Sequence, residues 1–190
     1  MWGGDMNTVQ PITKPELLEA IKSYLKEKSD RDYFLFVMGI NIGLRINDML
    51  PLKVKDVRDR NQIVIRERKT KKEKFIPINA TLKKEIDRYV AGKKPNEYLF
   101  PSRQLDENNL PKPITRERAY QILQDVAEQF NLEQIGCHSM RKTFGYHLYE
   151  RTKDIALLMY IFNHSTESIT MRYIGKKQEH YANAMKGFGL

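Results

Sequence analysis

Apolar residues recur along most of this chain at helical spacing. Leu17, Leu18, Ile21 and Leu25 fall on one face of a segment that runs to about Lys28. Thr13-Lys14-Pro15-Glu16 precedes it as a capping box, with Thr13 expected at the N-cap and Pro15 near the helix start. Ser29-Asp30 interrupts the pattern, and Tyr33 to Ile42 reads as a second, more completely buried helix that Gly43 ends. Leu44-Arg45 then lies at a turn before a short helix over Asn47–Leu50. The period changes between Asn61 and Arg68, where Ile63 and Ile65 share one side of an alternating strand. Phe75-Ile76-Pro77-Ile78 answers it across a lysine-rich turn, and Pro77 favours an edge position. Thr81 to Val90 predicts an amphipathic helix, and Tyr98-Leu99-Phe100 a third short strand. Lys93–Pro95 and Pro101–Pro113, rich in turn formers, read as connections. Helices are expected again at about 115–130, 138–151, 153–161, 166–173 and 178–186. Residues 1–12 carry no pattern and are expected to be a flexible segment. The fold class is therefore mainly α with a small antiparallel β-sheet inserted after the second or third helix, an α+β arrangement.

Bulk composition narrows the setting. At 190 residues the chain suits one domain with a full core, or at most two small ones. Thirty-three Lys+Arg against 24 Asp+Glu leave a net charge of +9, which suits a polyanionic partner. One cysteine, Cys137, excludes an intrachain disulfide framework and fits a reducing compartment. It is expected to be a buried thiol rather than a reactive one. No apolar run approaches the roughly 18 residues of a membrane span, and the N-terminus lacks a secretory pattern. The expected location is the cytoplasm, with no membrane partner.

Several polar residues suggest phosphate chemistry. Breaking a phosphodiester places negative charge on the non-bridging oxygens, and arginine meets it with a planar, permanently charged fork. Arg45 and Arg141 are the candidates. His138 stands three residues before Arg141, so on a helix one phosphate can meet both an imidazole and a guanidinium. His164 ends an apolar helix after Asn163, a residue that tolerates a left-handed, helix-ending conformation. Ten tyrosines are present, and position relative to His164 singles out Tyr173. A phenol attacks only when nearby cations or a base help it ionise, and this constellation offers both. In the lysine-rich turn, Lys71, Lys72 and Lys74 are expected to touch DNA phosphates without sequence preference. Lys69, at the end of the first strand, is placed to protonate a leaving alkoxide, which an arginine does poorly.

The order and spacing of Gly43-Leu44-Arg45-Ile46-Asn47-Asp48, Lys69, His138-Ser139-Met140-Arg141, Asn163-His164 and Tyr173 resemble the tyrosine recombinase, or phage integrase, catalytic domain. The resemblance covers roughly residues 10–185. It implies that fold, and a site-specific recombinase that cuts and rejoins double-stranded DNA. Tyr173 would form a 3′-phosphotyrosyl bond; Arg45, Arg141 and His164 would hold the phosphate. Lys69 would act as general acid and His138 as base or orienting partner. No metal, ATP or other cofactor is implied. The partner would be duplex DNA, with a homotetramer on DNA and a monomer or weak oligomer without it. Residues 13–190 would form the catalytic domain, without the N-terminal core-binding domain usual in the family. Phe162-Asn163-His164 stands where the family usually has Leu-Gly-His, and Asp48 is expected to orient rather than react. The segment after Tyr173 resembles the tail that recombinases pack onto a neighbouring subunit.

Overall fold

The structure of this chain is a computed structural model, and it describes residues 9–66 and 73–176. Its elements are α1 (Pro15–Lys28), α2 (Asp30–Ile42), α3 (Ile46–Met49), β1 (Gln62–Arg66), β2 (Glu73–Pro77), α4 (Ala80–Val90), β3 (Pro101–Leu105), β4 (Pro111–Pro113), α5 (Arg116–Gln129), α6 (Cys137–Thr152), α7 (Ile155–Phe162) and α8 (Glu167–Tyr173). No helix among the described residues is long and apolar enough to cross a membrane. The predicted helix at 178–186 lies outside the described residues.

Helix α2 is the axis of the main core. Phe34 to Met38 are buried around its circumference, which is why it shows no single apolar stripe. Ile21 and Leu25 of α1, Leu82 and Ile86 of α4, and Met140 of α6 close over it. Phe34 stacks on Tyr89 with ring centroids 4.1 Å apart, and the Tyr89 hydroxyl donates 2.7 Å to the Leu99 carbonyl. Burying a phenol this way satisfies its polar end, so the ring contributes its full apolar area. Gly39 lets α6 approach closely, because a Cβ there would lie 2.5 Å from Met140 Sδ.

A smaller second cluster joins Leu158 and Phe162 of α7 to Ile174, with Phe144 of α6 and Tyr173 packed against it. Gly145 makes room for it, since a Cβ there would sit 2.6 Å from Phe162 Cζ. Helix α6 thus runs between the two clusters, and its polar residues meet at the seam.

Four expectations are corrected. The N-cap of α1 is Lys14, with no side-chain cap bond, so the capping box at Thr13 is not made. The β structure is two separate hairpins: β1 pairs β2, and β3 pairs β4 within the stretch expected to be a connection. Tyr98 forms only an isolated bridge with Lys53 rather than a strand. The expectation of a loose segment also fails over residues 9–12. Gln10 N donates to the Gln134 carbonyl at 2.8 Å, and Ile12 N donates to Thr143 Oγ1 at 2.8 Å. His147 Nε2 lies 3.0 Å from the Ile12 carbonyl, so residues 9–12 are strapped along α6.

Candidate active site

Arg141 is buried, with 3% of its surface exposed, and its guanidinium is held by chain segments far apart in sequence. One terminal nitrogen donates to the Gly43 carbonyl and the other lies 3.4 Å from the Phe162 carbonyl. Its Cζ stands 4.6 Å from the centroid of the Phe162 ring. Both carbonyls are neutral, so they position the charge without cancelling it, and the aromatic face adds a favourable quadrupole. The Gly43 carbonyl is aimed by an αL backbone (φ 59°) that caps α2. The same turn delivers Arg45, half-buried at the N-cap of α3. The guanidinium charges of Arg45 and Arg141 both act on His138, His164 and Tyr173, which brings residues from both ends of the chain to one place.

His164 follows a helix end of the expected kind. Asn163 takes φ 56°, ψ 50°, and His164 N closes the turn by donating 3.0 Å to the Met159 carbonyl. Its ring Nδ1 lies 3.1 Å from Thr170 Oγ1, a fully buried hydroxyl that itself donates 3.2 Å to the Thr166 carbonyl. With its proton committed there, Thr170 accepts from His164 Nδ1–H. The chain thereby sets the tautomer, leaving Nε2 as the nitrogen that addresses the site. Loss of hydration, then Arg141 and Arg45, hold the His164 pKa below its ordinary value.

Tyr173 ends α8. Its ring meets Phe162 and His164 edge to face, each at 5.1 Å between centroids. The Arg141 guanidinium acts on its hydroxyl, favouring the charged form. The phenol pKa is nevertheless raised: burial outweighs the lowering by Arg141 and Arg45. His138 stands at the exposed mouth of the site, its pKa lowered by desolvation and then by Arg141, Arg116, Lys142 and Arg45. Cys137 beside it is a buried free thiol whose pKa burial pushes up, as expected of an inert cysteine.

The lysines divide. Lys69, Lys71 and Lys72 lie outside the described residues. Lys74 is half-buried, and its ammonium donates to the Ile161 carbonyl at the end of α7. That helix end carries a partial negative charge that attracts a cation. The hairpin is thereby tied to the helix that presents His164.

Residues 10–180 match the sequence profile of the Phage integrase family. The chain belongs to the phage integrase family. It is 51% identical over 184 residues to the probable integrase/recombinase YoeC of Bacillus subtilis (strain 168), covering 97% of this chain and 99% of that protein. It is 27% identical over 158 residues to the tyrosine recombinase XerA of Pyrococcus horikoshii, covering 82% of this chain and 54% of that protein. The chain thus spans nearly all of the first relative and about half of the second. In fold it is similar to the Tn1549 transposon integrase solved with transposon right end DNA. That match has a TM-score of 0.73 at 19% identity and covers 98% of this chain and 67% of that one.

Two residues of this integrase-family site were not legible as candidates. Thr170 sits three positions before Tyr173 on α8, and Lys142 sits four after His138 on α6. Helical spacing of three or four from a suspected reactive residue is the signal that identifies both.

Proposed function

We propose that this chain is a site-specific tyrosine recombinase that cuts and rejoins duplex DNA. Tyr173 Oη attacks the scissile phosphorus, forming a 3′-phosphotyrosyl bond as the bond to the 5′-oxygen breaks. His138 takes the phenol proton, and Lys69 gives one to the departing 5′-oxygen. Arg45, Arg141 and His164 hold the non-bridging oxygens, whose charge grows toward the phosphorane; the incoming phosphate draws a second proton onto His164, so that Nε2–H donates to it while Nδ1–H stays on Thr170. The 5′-hydroxyl of another strand then attacks the phosphotyrosine and releases Tyr173, so the number of phosphodiester bonds is conserved. We assign the unit of action as a homotetramer on two duplexes, with residues 13–190 as its catalytic domain.

The observation that supports this reading most is that two arginines far apart in sequence both act on Tyr173, whose ring also meets His164 and shares an opening with His138. The test is incubation with nicked suicide substrates carrying the repeats that flank the gene, followed by a denaturing gel. The native protein yields a protein–DNA adduct and Tyr173→Phe yields none. An adduct that persists at native level in Tyr173→Phe overturns the assignment of the nucleophile.

A further inference from the structure

Lysine is rarely buried without a partner, because desolvating an ammonium is costly. Lys142 is only 4% exposed, on the inward face of α6. None of the described carboxylates forms an ion pair with it, and burial lowers its pKa. What it faces is an aromatic ring: Nζ stands 5.2 Å from the centroid of Tyr173. It also lines an opening of about 450 Å³ with Arg116, His138 and Tyr173.

From this placement we propose that Lys142 is a positioning residue for the nucleophile, its ammonium holding the face of the Tyr173 ring and stabilising the phenolate as it forms. The proposal deepens the recombinase reading and rests on Tyr173 being the attacking group. Arg141 acts on the hydroxyl of the phenol, whereas Lys142 covers the ring. Phe162 and His164 meet the same ring edge to face. When the phenol loses its proton, part of the negative charge spreads over the ring carbons. A cation over the face therefore binds phenolate more strongly than phenol, and the gain arises only along the reaction path. The fit is chemical as well as geometric. His138, Arg141 and Lys142 occupy positions i, i+3 and i+4 of one helix, so a single rigid element delivers base, clamp and ring cation.

The test requires no cognate DNA. The protein is produced with 3-fluorotyrosine, and Tyr173 is identified as the fluorine resonance missing from Tyr173→Phe. Its titration is then followed in native protein, Lys142→Met and Lys142→Arg. The charged groups already acting on the phenol are Arg45 and Arg141, with His164 against its ring and His138 and Arg116 around the same opening. None of these is changed. Because Lys142 itself loses its proton in the alkaline range, the decisive comparison is between Lys142→Arg, charged throughout, and Lys142→Met: the Tyr173 midpoint lies about 0.4–1.5 pH units lower in Lys142→Arg. Equal midpoints in the two variants, with the other tyrosine resonances in their native places, overturn the proposal. Should Lys142→Met fail to keep the native resonances, Lys142→Gln serves as the uncharged variant with the same criteria. Failure of the recombinase reading would show separately, as an adduct retained by Tyr173→Phe.

Discussion

Gly43 offers a quantitative check on how the site is built, because two separate demands meet there. Its φ of 59° lies in the left-handed region, and a Cβ would sit within 2.6 Å of Phe144 Cε1. Gly92 makes the first demand alone: its φ is 74° and nothing lies within 4 Å of the corresponding position. In Gly92→Ala the left-handed backbone costs about 1–2 kcal/mol, offset by about 0.4–1 kcal/mol from restricting the unfolded chain. The expected net loss is about 1 kcal/mol. Gly43→Ala adds overpacking against a ring wedged between α6 and α7, a further 1–3 kcal/mol or so. Its total is about 2–4 kcal/mol, a large part of an ordinary domain's stability. Urea unfolding of both variants, with unchanged m-values, measures the difference directly. Activity supplies a second reading, since the Gly43 carbonyl accepts from Arg141. A shifted turn moves the guanidinium, so adduct formation by folded Gly43→Ala falls by more than the loss of folded protein explains. Equal destabilisation in the two variants would refute the role given to Phe144. Native adduct rates in folded Gly43→Ala would refute the link from turn to clamp.

Thr170→Val keeps shape but removes the hydroxyl that accepts from His164 Nδ1. The adduct rate should drop about 10- to 100-fold while the far-ultraviolet spectrum stays native, since a lost charge-assisted contact is worth roughly 1.5–3 kcal/mol. A native rate would remove Thr170 from the site. His138 and His164 both have pKa values held below the ordinary 6.5, so in mild acid the unfolded chain binds more protons than the folded one. Stability is then fully present above about pH 6.5 and declines as pH falls through the lower folded values. Urea midpoints measured from pH 7.5 down to 5 should show this slope, shallower in His164→Asn; an identical slope in that variant contradicts the shift.

Most helices were legible because their apolar residues repeat at the helical period or because Gly43 and Asn163 mark an end. The core of α2 was legible as an apolar run. Helix α6 is the instructive case, since its buried positions include Ser139, Arg141, Lys142 and Thr143. Polar residues that serve a site erase the stripe that normally marks a buried face. The β3–β4 hairpin was not legible because it is largely exposed, begins and ends in proline, and turns through Asp106–Asn109, a composition shared with linkers. The contact of Lys74 with the Ile161 carbonyl was not legible for another reason: the two lie 87 residues apart, and no local pattern encodes such a pairing. Arg45, His138, Arg141, His164 and Tyr173 lie in one neighbourhood, and Lys69 falls outside the described residues. Their helical or turn context was local even though their meeting was not.

The grip on Arg141 spans 98 residues to Gly43 and 21 to Phe162. A polypeptide still emerging from the ribosome, or one cut short before α7, has no such grip to offer. Strand scission is a hazardous capability for a cell to leave loose. In this architecture the guanidinium is seated only once both distant carbonyls have found their places, so the clamp cannot form before α7 has been made.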